Sequence, residues 1–468
     1  MEMRGDACYQ STRIFSNRHR ASDMFTVLAN RTYRHLFAAQ VIALFGTGLM
    51  TVALALLAYD LAGENAGAVL GTALAIKMVV YVTLSPVAAG FASRFPRRAL
   101  LVSLDLVRAG TAIALPFVDT VWQIYILIAI LQSASAAFSP AFQATIPDVL
   151  KDEQDYTNAL SLSRMAYDLE NLLSPVVAAG LSGLVGYHWL FSGTVFGFLI
   201  SAALVISVTL PSITASRGTS PWQRISQGMR IYLQTPRLQG LFALNLTVAA
   251  VGAIVIVNSV VIVKNLLGGS DTDLALVLAA YGGGSMVAAF TLPRLLRALR
   301  DRRVMLSGAI ALPVILLLFA VASTKLQPHG LWPFLFAAWF LMGAASSAIM
   351  VPSGRLLRNS AHAEDRPMVF AAQFALSHGC WLITYPLAGW LGTSAGLAAT
   401  MITHAGLASV GVLAALKLWP STDNSILTHE HPELPADHPH LHDASGKRHA
   451  HTFVIDSLHA NWPAERGG

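Results

Sequence analysis

The side chains able to do chemistry in this chain fall into two groups, and the first lies inside long apolar runs. Asp105, Arg108, Lys77, Arg164, Asp168, Glu170, His378 and Cys380 each interrupt a stretch otherwise made of aliphatic, aromatic and small residues. An ionisable group in such a stretch costs a few kcal/mol on insertion scales, so it usually faces a partner or a water-filled path. Over 159–185, helical spacing places Arg164, Asp168, Asn171 and Pro175 on one face and Ser163, Tyr167, Glu170 and Ser174 on another. The two carboxylates then point roughly 200° apart, too far to chelate one ion from a regular helix. Asp168 and Glu170 are candidates for carrying a proton; if Asp168 pairs with Arg164 one turn away, the proton falls to Glu170. Asp105 and Arg108, at i and i+3, form either a structural ion pair or a coupling pair. Lys77 has no sequence-local partner and either snorkels or meets a carboxylate from another helix. An imidazole and a thiolate suit borderline divalent ions, which makes His378 and Cys380 candidate ligands, although their spacing is not that of a same-face pair. Either can equally be a packed group.

The second group is the C-terminal tail. Eight of the fifteen histidines lie beyond residue 420, spaced as H-x-H, H-x-H-x-H and H-x-H. In an extended chain, i and i+2 side chains share a side, so His429, His431, His438, His440, His442, His449 and His451 can act in neighbouring sets on a metal ion. The absence of C-x-x-C or finger spacing argues against a structural zinc site. Composition predicts a polar tail without a packed core, serving as a low-specificity metal buffer. The more apolar closing segment, Phe453 to Trp462, is expected to dock on the cytoplasmic face.

These residues must be positioned by membrane helices. Of 468 residues, 54% are hydrophobic and only 12% charged, with a mean hydropathy of +0.56; that excludes most soluble classes. Twelve runs near 36–59, 68–93, 99–118, 120–146, 159–185, 188–210, 238–262, 273–293, 304–323, 331–353, 368–391 and 395–416 are each about the 20 residues a bilayer crossing needs. Arginine and lysine gather in alternate loops, and the intervening loops offer only Lys264 and Lys325. By the positive-inside rule both termini are cytoplasmic. The organisation expected is a basic arm over 1–35, a six-helix bundle over 36–210, a linker over 211–237, a second six-helix bundle over 238–418 and the tail over 419–468.

A displacement of 205 residues lays Arg97-Arg98 on Arg302-Arg303, and one of 211 lays Pro175 on Pro386. The fold class expected is therefore an all-α membrane protein with twelve transmembrane helices in two six-helix pseudo-repeats, the pattern of a transporter with its site between the repeats. Polar stripes line two helices: Gln40, Thr47 and Thr51 on the first, Gln132, Ser135, Ser139 and Gln143 on the fourth. Cys8 and Cys380 are expected to be free thiols. No phosphate-binding glycine loop occurs, so ATP-driven transport is not expected; the transporter reading carries with it the expectation that the chain is not an enzyme. The net charge of +6 is explained by topology, with no nucleic-acid partner.

Three stretches resemble the major facilitator superfamily, and within it the drug-proton antiporter branch that includes enterobactin-type exporters. The loop 89–98 resembles the pattern G-x-x-x-D-R-x-G-R-R, with Arg94, Arg97 and Arg98 matching and Ala89 and Ser93 replacing the glycine and aspartate. In the family the aspartate of this gating loop, replaced here by Ser93, helps to gate the cytoplasmic side, and the resemblance carries the loop's role to Arg94, Arg97 and Arg98. In the second stretch, 138–175, Pro140, Pro147, Asp148, Asn158 and Pro175 match the branch. The third, AAQFALSHGCWLITYPLAGWLG from Ala371 onward, is similar together with the histidine tail to nickel-resistance permeases.

The resemblance implies the major facilitator fold, with Asn245 and Asn258, and Ser346 or Ser347, as further cavity contacts beside Gln40, Gln132 and Gln143. It also implies efflux of a divalent metal, nickel first and cobalt second, against protons at the inner membrane, by a monomer without resident cofactors. Efflux of a drug or siderophore, with the tail as an accessory, is the alternative.

Overall fold

In a computed structural model of the chain, the described residues are 25–92, 95–152, 186–210, 221–362, 365–421, 426–430 and 448–463 apart from 457 and 460, with scattered positions between 155 and 181. The protein is an all-α membrane bundle, with one small ribbon among the described residues. Helix α1 (Arg31–Ala62) opens on Asn30, whose side chain accepts a hydrogen bond from the Tyr33 amide at 3.1 Å; this satisfies one of the first-turn donors that a helix leaves free. A 3-10 turn at Gly63–Asn65, with Gly63 at φ 55°, connects it to α2 (Ala66–Ala92). Next come α3 (Arg97–Ala114), α4 (Val121–Val149), which starts with a Thr120/Gln123 capping box, and α5 (His188–Ile206).

The span expected over 159–185 lies largely outside the described residues, as do Asp168, Arg164 and Arg94. An amphipathic helix α6 (Pro221–Gln234) precedes α7 (Pro236–Ala253), which continues through π turns at Ile254–Asn258 and Ile262–Leu266. The remaining long helices are α8 (Asp271–Ala298), α9 (Asp301–Lys325), α10 (Pro328–Arg358), α11 (Arg366–Ser394) and α12 (Leu397–Leu418). Strands β1 (Ile426–Glu430) and β2 (Arg448–Thr452) pair antiparallel in the tail.

Among the described residues nine helical stretches are long and apolar enough to cross a membrane, the first of them, Arg31–Leu84, holding both α1 and most of α2. Only helices and closed barrels satisfy every backbone group without water, which is why apolar runs of this length fold this way. Hydroxyls inside the spans turn back on their own helix: Thr47 donates to Ala43, Thr51 to Thr47, Ser135 to Leu131 and Thr145 to Ala141. Large apolar side chains such as Phe117 and Phe290 are 81% and 73% exposed, as lipid-facing residues must be.

By contacts the chain forms two units, Met1–Ser216 with Val257–Gly282 and Tyr385–Ser394, and Arg217–Ile256 with Gly283–Thr384 and Ala395–Gly468. In the first, α1 and α5 meet backbone to backbone: a Cβ on Gly197 would stand 3.0 Å from the Ile42 carbonyl, and Thr194 donates to the Gly46 carbonyl at 2.6 Å. Small residues permit this close approach, the usual basis of helix association in lipid. In the same unit the end of α11 lies on α2. A Cβ on Gly71 would come 2.6 Å from the Tyr385 carbonyl and one on Gly389 would overlap the Gly67 carbonyl. In the second unit, Gly411 of α12 packs on α7, where Thr247 donates to the Ala408 carbonyl at 3.0 Å.

In each unit one arginine of the pair that marks the sequence repeat reaches a helix end, the second of the pair in the first unit and the first of the pair in the other. Arg98, at the start of α3, donates to the Ile206 carbonyl at the end of α5, and Arg302, near the start of α9, donates to the Trp419 carbonyl just past α12 at 2.9 Å. A cation there also complements the negative end of the helix dipole. An ion pair ties the third helix of each set to the fourth, with the signs exchanged. Arg97 of α3 meets Asp148 of α4 at 2.7 Å, and Asp301 of α9 meets Arg355 of α10.

Candidate transport site

The first unit holds a polar cluster within its spans. Asp105 and Arg108 are 0% and 6% exposed and form an ion pair along one turn of α3. Ser201 of α5 donates to the second Asp105 oxygen at 2.8 Å, and the Arg108 guanidinium lies 4.0 Å from the Phe138 ring of α4 and 4.5 Å from the Phe198 ring of α5. A planar cation between two rings, with its charge balanced one turn away, is a lock between α3, α4 and α5.

That neutralisation leaves one cation and one anion over among the described ionisable groups in the middle of these spans. Lys77 of α2 and Glu170 lie near enough to feel each other's charge. Each is only partly exposed, and Lys77 also lies 6.0 Å from the Tyr81 ring. Gly48 of α1 makes room for the carboxylate, since a Cβ there would overlap Ser174 and stand 3.0 Å from the nearer Glu170 oxygen. Around the pair, Tyr81 bonds Ser135, while Ser163, on the same stretch as Glu170, donates to Gln40 at 3.0 Å. The Ser174 hydroxyl has no protein partner among the described residues. Sequence spacing does not join Lys77 to Glu170; a lysine and a carboxylate without local partners, in separate spans, were the available signal.

The remaining candidates are dispersed. Gln132 is buried on α4 and Gln143 is exposed. Asn258, at a π turn, donates to the Ala388 carbonyl at 3.3 Å, and its own carbonyl oxygen is unpartnered among the described residues. π turns are frequent at functional positions because they free backbone and side-chain groups from the regular ladder. In the second unit the Asn245 amide, the Ser346 hydroxyl and the Thr384 hydroxyl are likewise buried with no protein partner among the described residues. Buried groups of this kind are handles for water or a bound molecule. Ser347 instead bonds Ser285 at 2.6 Å.

His378 stacks on Phe374 at 3.9 Å and its Nδ1–H donates to the Phe374 carbonyl at 2.7 Å, which puts the lone pair of the neutral ring on Nε2. Cys380 is a buried free thiol. The described residues contain no group of three or more His, Cys, Asp or Glu that could hold a metal. His404 is buried against the Thr400 and Thr384 carbonyls, at 2.9 and 3.3 Å, in a packing role.

In the tail, the antiparallel register sets His429 opposite His449, with His451 opposite Leu427. Residues directly opposed, and those two apart on one strand, share a face. The positions of His429, His449 and His451 therefore lie on one face of the ribbon, while His431, His438, His440 and His442 fall outside the described residues.

A bundle of long apolar helices with paired charges buried in its spans is the architecture of a multi-pass membrane protein, and the family match below makes it a membrane transporter. Two successive matches to the Major Facilitator Superfamily, over residues 36–260 and 240–441, span nearly all of the helical region, and the chain belongs to that family. It is 23% identical over 350 residues to an uncharacterized MFS-type transporter, YfiS, of Bacillus subtilis (strain 168), covering 72% of this chain and 81% of that one. It is 24% identical over 217 residues to macrolide efflux protein A of Streptococcus pyogenes, covering 45% of this chain and 52% of that protein. Among solved structures, a point mutant of the nucleoside transporter NupG superposes with a TM-score of 0.65 at 13% identity, over 83% of this chain and 100% of that one. A bacterial homolog of the human lysosomal transporter Spinster, inward-facing and unoccupied, gives 0.63 at 13% over 84% and 99%. At these identities the structural likeness speaks to fold alone.

Proposed function

We propose that the protein is a proton-coupled antiporter of the inner membrane, with both termini cytoplasmic, that exports a divalent transition metal, nickel first and cobalt second. The observation that carries the metal half is the tail register, which opposes His429 and His449 and sets His451 on the same face. Neutral imidazoles are good ligands for nickel, cobalt and zinc alike. Efflux is supported by the macrolide efflux relative.

Proton coupling is assigned to Glu170 opposite Lys77. A carboxylate facing an ammonium in a low-dielectric span has two states, paired and protonated, and exchanging them changes the net charge held between α1 and α2. Asp105 and Arg108, considered for the same role, serve here as the lock. Asp168 remains a candidate for the same relay. His378 is the pore residue proposed to meet the metal. The second reading, export of an organic compound, is favoured by the same macrolide efflux relative and by the unpartnered amide and hydroxyls of Asn245, Ser346 and Thr384.

The test is uptake of Ni2+ or of ethidium into inverted vesicles driven by a proton gradient. The wild-type chain should carry Ni2+, and Glu170→Gln should cut gradient-driven uptake at least tenfold while leaving substrate exchange without a gradient intact. Uptake of ethidium but not Ni2+ would sink the metal reading, and an unimpaired Glu170→Gln would sink the coupling assignment.

A further inference from the structure

The closing segment of the tail is seated on the second unit. Phe453, Val454 and Ile455 are 2%, 5% and 1% exposed, burial unusual for residues that follow a polar stretch. The Phe453 ring meets His459 edge-on at 4.7 Å and Trp462 at 5.0 Å, and Trp462 lies 5.5 Å from the Arg237 guanidinium at the start of α7. Arg237 is itself buried and held by Ser360 at 2.7 Å and the Asn359 carbonyl at 2.9 Å.

Asp456 is the hub. It accepts from the Leu458 and His459 amides at 2.8 and 2.7 Å, from the His459 ring at 2.9 Å, and pairs with His362 of the α10–α11 turn at 3.1 Å. Burial alone would push its carboxyl up, but the His459 amide, the His362 bond and the His459 ring outweigh that and hold it below the usual carboxylate range. Ile455 and Asp456 also line a cleft with Ser226, Gln227, Arg230 and Ile231 of α6. Gln227 in turn donates to Asp365 at 2.8 Å.

We propose that Phe453–Trp462 is an autoinhibitory clasp: it fastens the connector helix α6 to the α10–α11 turn and so restrains the linker that joins the two sequence repeats. The occupant of this surface is the chain's own segment, its Ile455 lining the cleft beside α6 and its Asp456 carboxylate meeting the imidazole of the turn. Because β2 ends at Thr452, the clasp begins at the next residue after the histidine ribbon. A cation that stabilises the ribbon therefore acts on the clasp through a single peptide bond. This last link rests on the metal reading of the tail, whereas the clasp itself does not.

The experiment compares the full chain with Asp456→Ala, with Phe453→Ala and with a chain ending at Thr452, by hydrogen exchange of the α6 amides and by vesicle uptake of Ni2+ and ethidium. All three changes should speed exchange in α6 and the 359–365 turn at least tenfold and raise the initial uptake rate at least twofold. Unchanged α6 exchange would overturn the docking, and faster exchange with unchanged or slower uptake would overturn the inhibitory role. A chain that carries neither probe would refute the antiporter reading, and the exchange measurement would still decide the clasp. Ni2+ that leaves α6 exchange unaltered in the full chain would sever the link to the ribbon alone.

Discussion

Single residues in this protein are placed by charge balance more than by shape. Arg108 is tolerable in a span because Asp105 neutralises it one turn away and two aromatic rings cover its faces. Removing one partner of a buried pair leaves an uncompensated charge, at a cost of about 3–5 kcal/mol, whereas removing both is often nearly neutral. Arg108→Leu should therefore lower the thermal midpoint of the detergent-solubilised protein sharply, and the double change Asp105→Leu, Arg108→Leu should restore most of it. A midpoint in the double variant as low as in the single one would show that the pair does more than neutralise itself. The expectation that these two residues pair locally is met. That Ser201 completes the pair could not be read from a sequence in which it lies 96 positions away.

At the scale of elements, the seams are set by glycine. Gly46 and Gly197 let α1 meet α5, Gly411 lets α12 meet α7, and Gly67, Gly71 and Gly389 let α2 meet the end of α11. Lipid offers no hydrophobic gain for helix contact, so close packing and hydrogen bonds must supply it. A side chain at Gly71 meets backbone, which cannot turn aside. Gly71→Leu is expected to destabilise by about 1–3 kcal/mol through overpacking, read as a lower thermal midpoint. Gly110→Leu, where nothing stands within 4 Å of a Cβ, is the control that should leave the midpoint unchanged. Equal effects at the two positions would remove the α2–α11 seam from the account. On α1 the Thr47 and Thr51 hydroxyls each donate to the carbonyl one turn back.

For the whole molecule, the repeat shows in paired devices, with Arg98 and Arg302 capping the last helix of their sets and an ion pair joining third helix to fourth in each. On the proposed reading, the repeat transports and the tail carries metal chemistry outside the spans. Calorimetry on the purified full chain should therefore detect Ni2+ binding that is largely lost in a chain ending at Pro420, while that shorter chain still carries substrate into vesicles. Undiminished Ni2+ binding after truncation would place the ligands in the spans. Loss of transport with the tail would make the tail part of the machinery.

Composition and charge placement are enough to define the class of the protein. Low charge, runs of bilayer length and the bias of arginine to alternate loops each follow from the solvent the chain must occupy, and they are local properties of composition. The displacement of 205 residues likewise announced the repeat. The tail spacing and the apolar closing segment anticipated a set of histidines on one side of an extended chain and a docked end, again because alternation and hydropathy are local. Which charges meet is set by packing: Arg97 with Asp148 and Asp456 with His362 join residues far apart in the chain. It also gave the arginines of the 97–98 pair a helix end to cap and an ion pair with Asp148. Coulomb attraction and desolvation act through distance in space, and a one-dimensional pattern carries no record of that distance until helices pack.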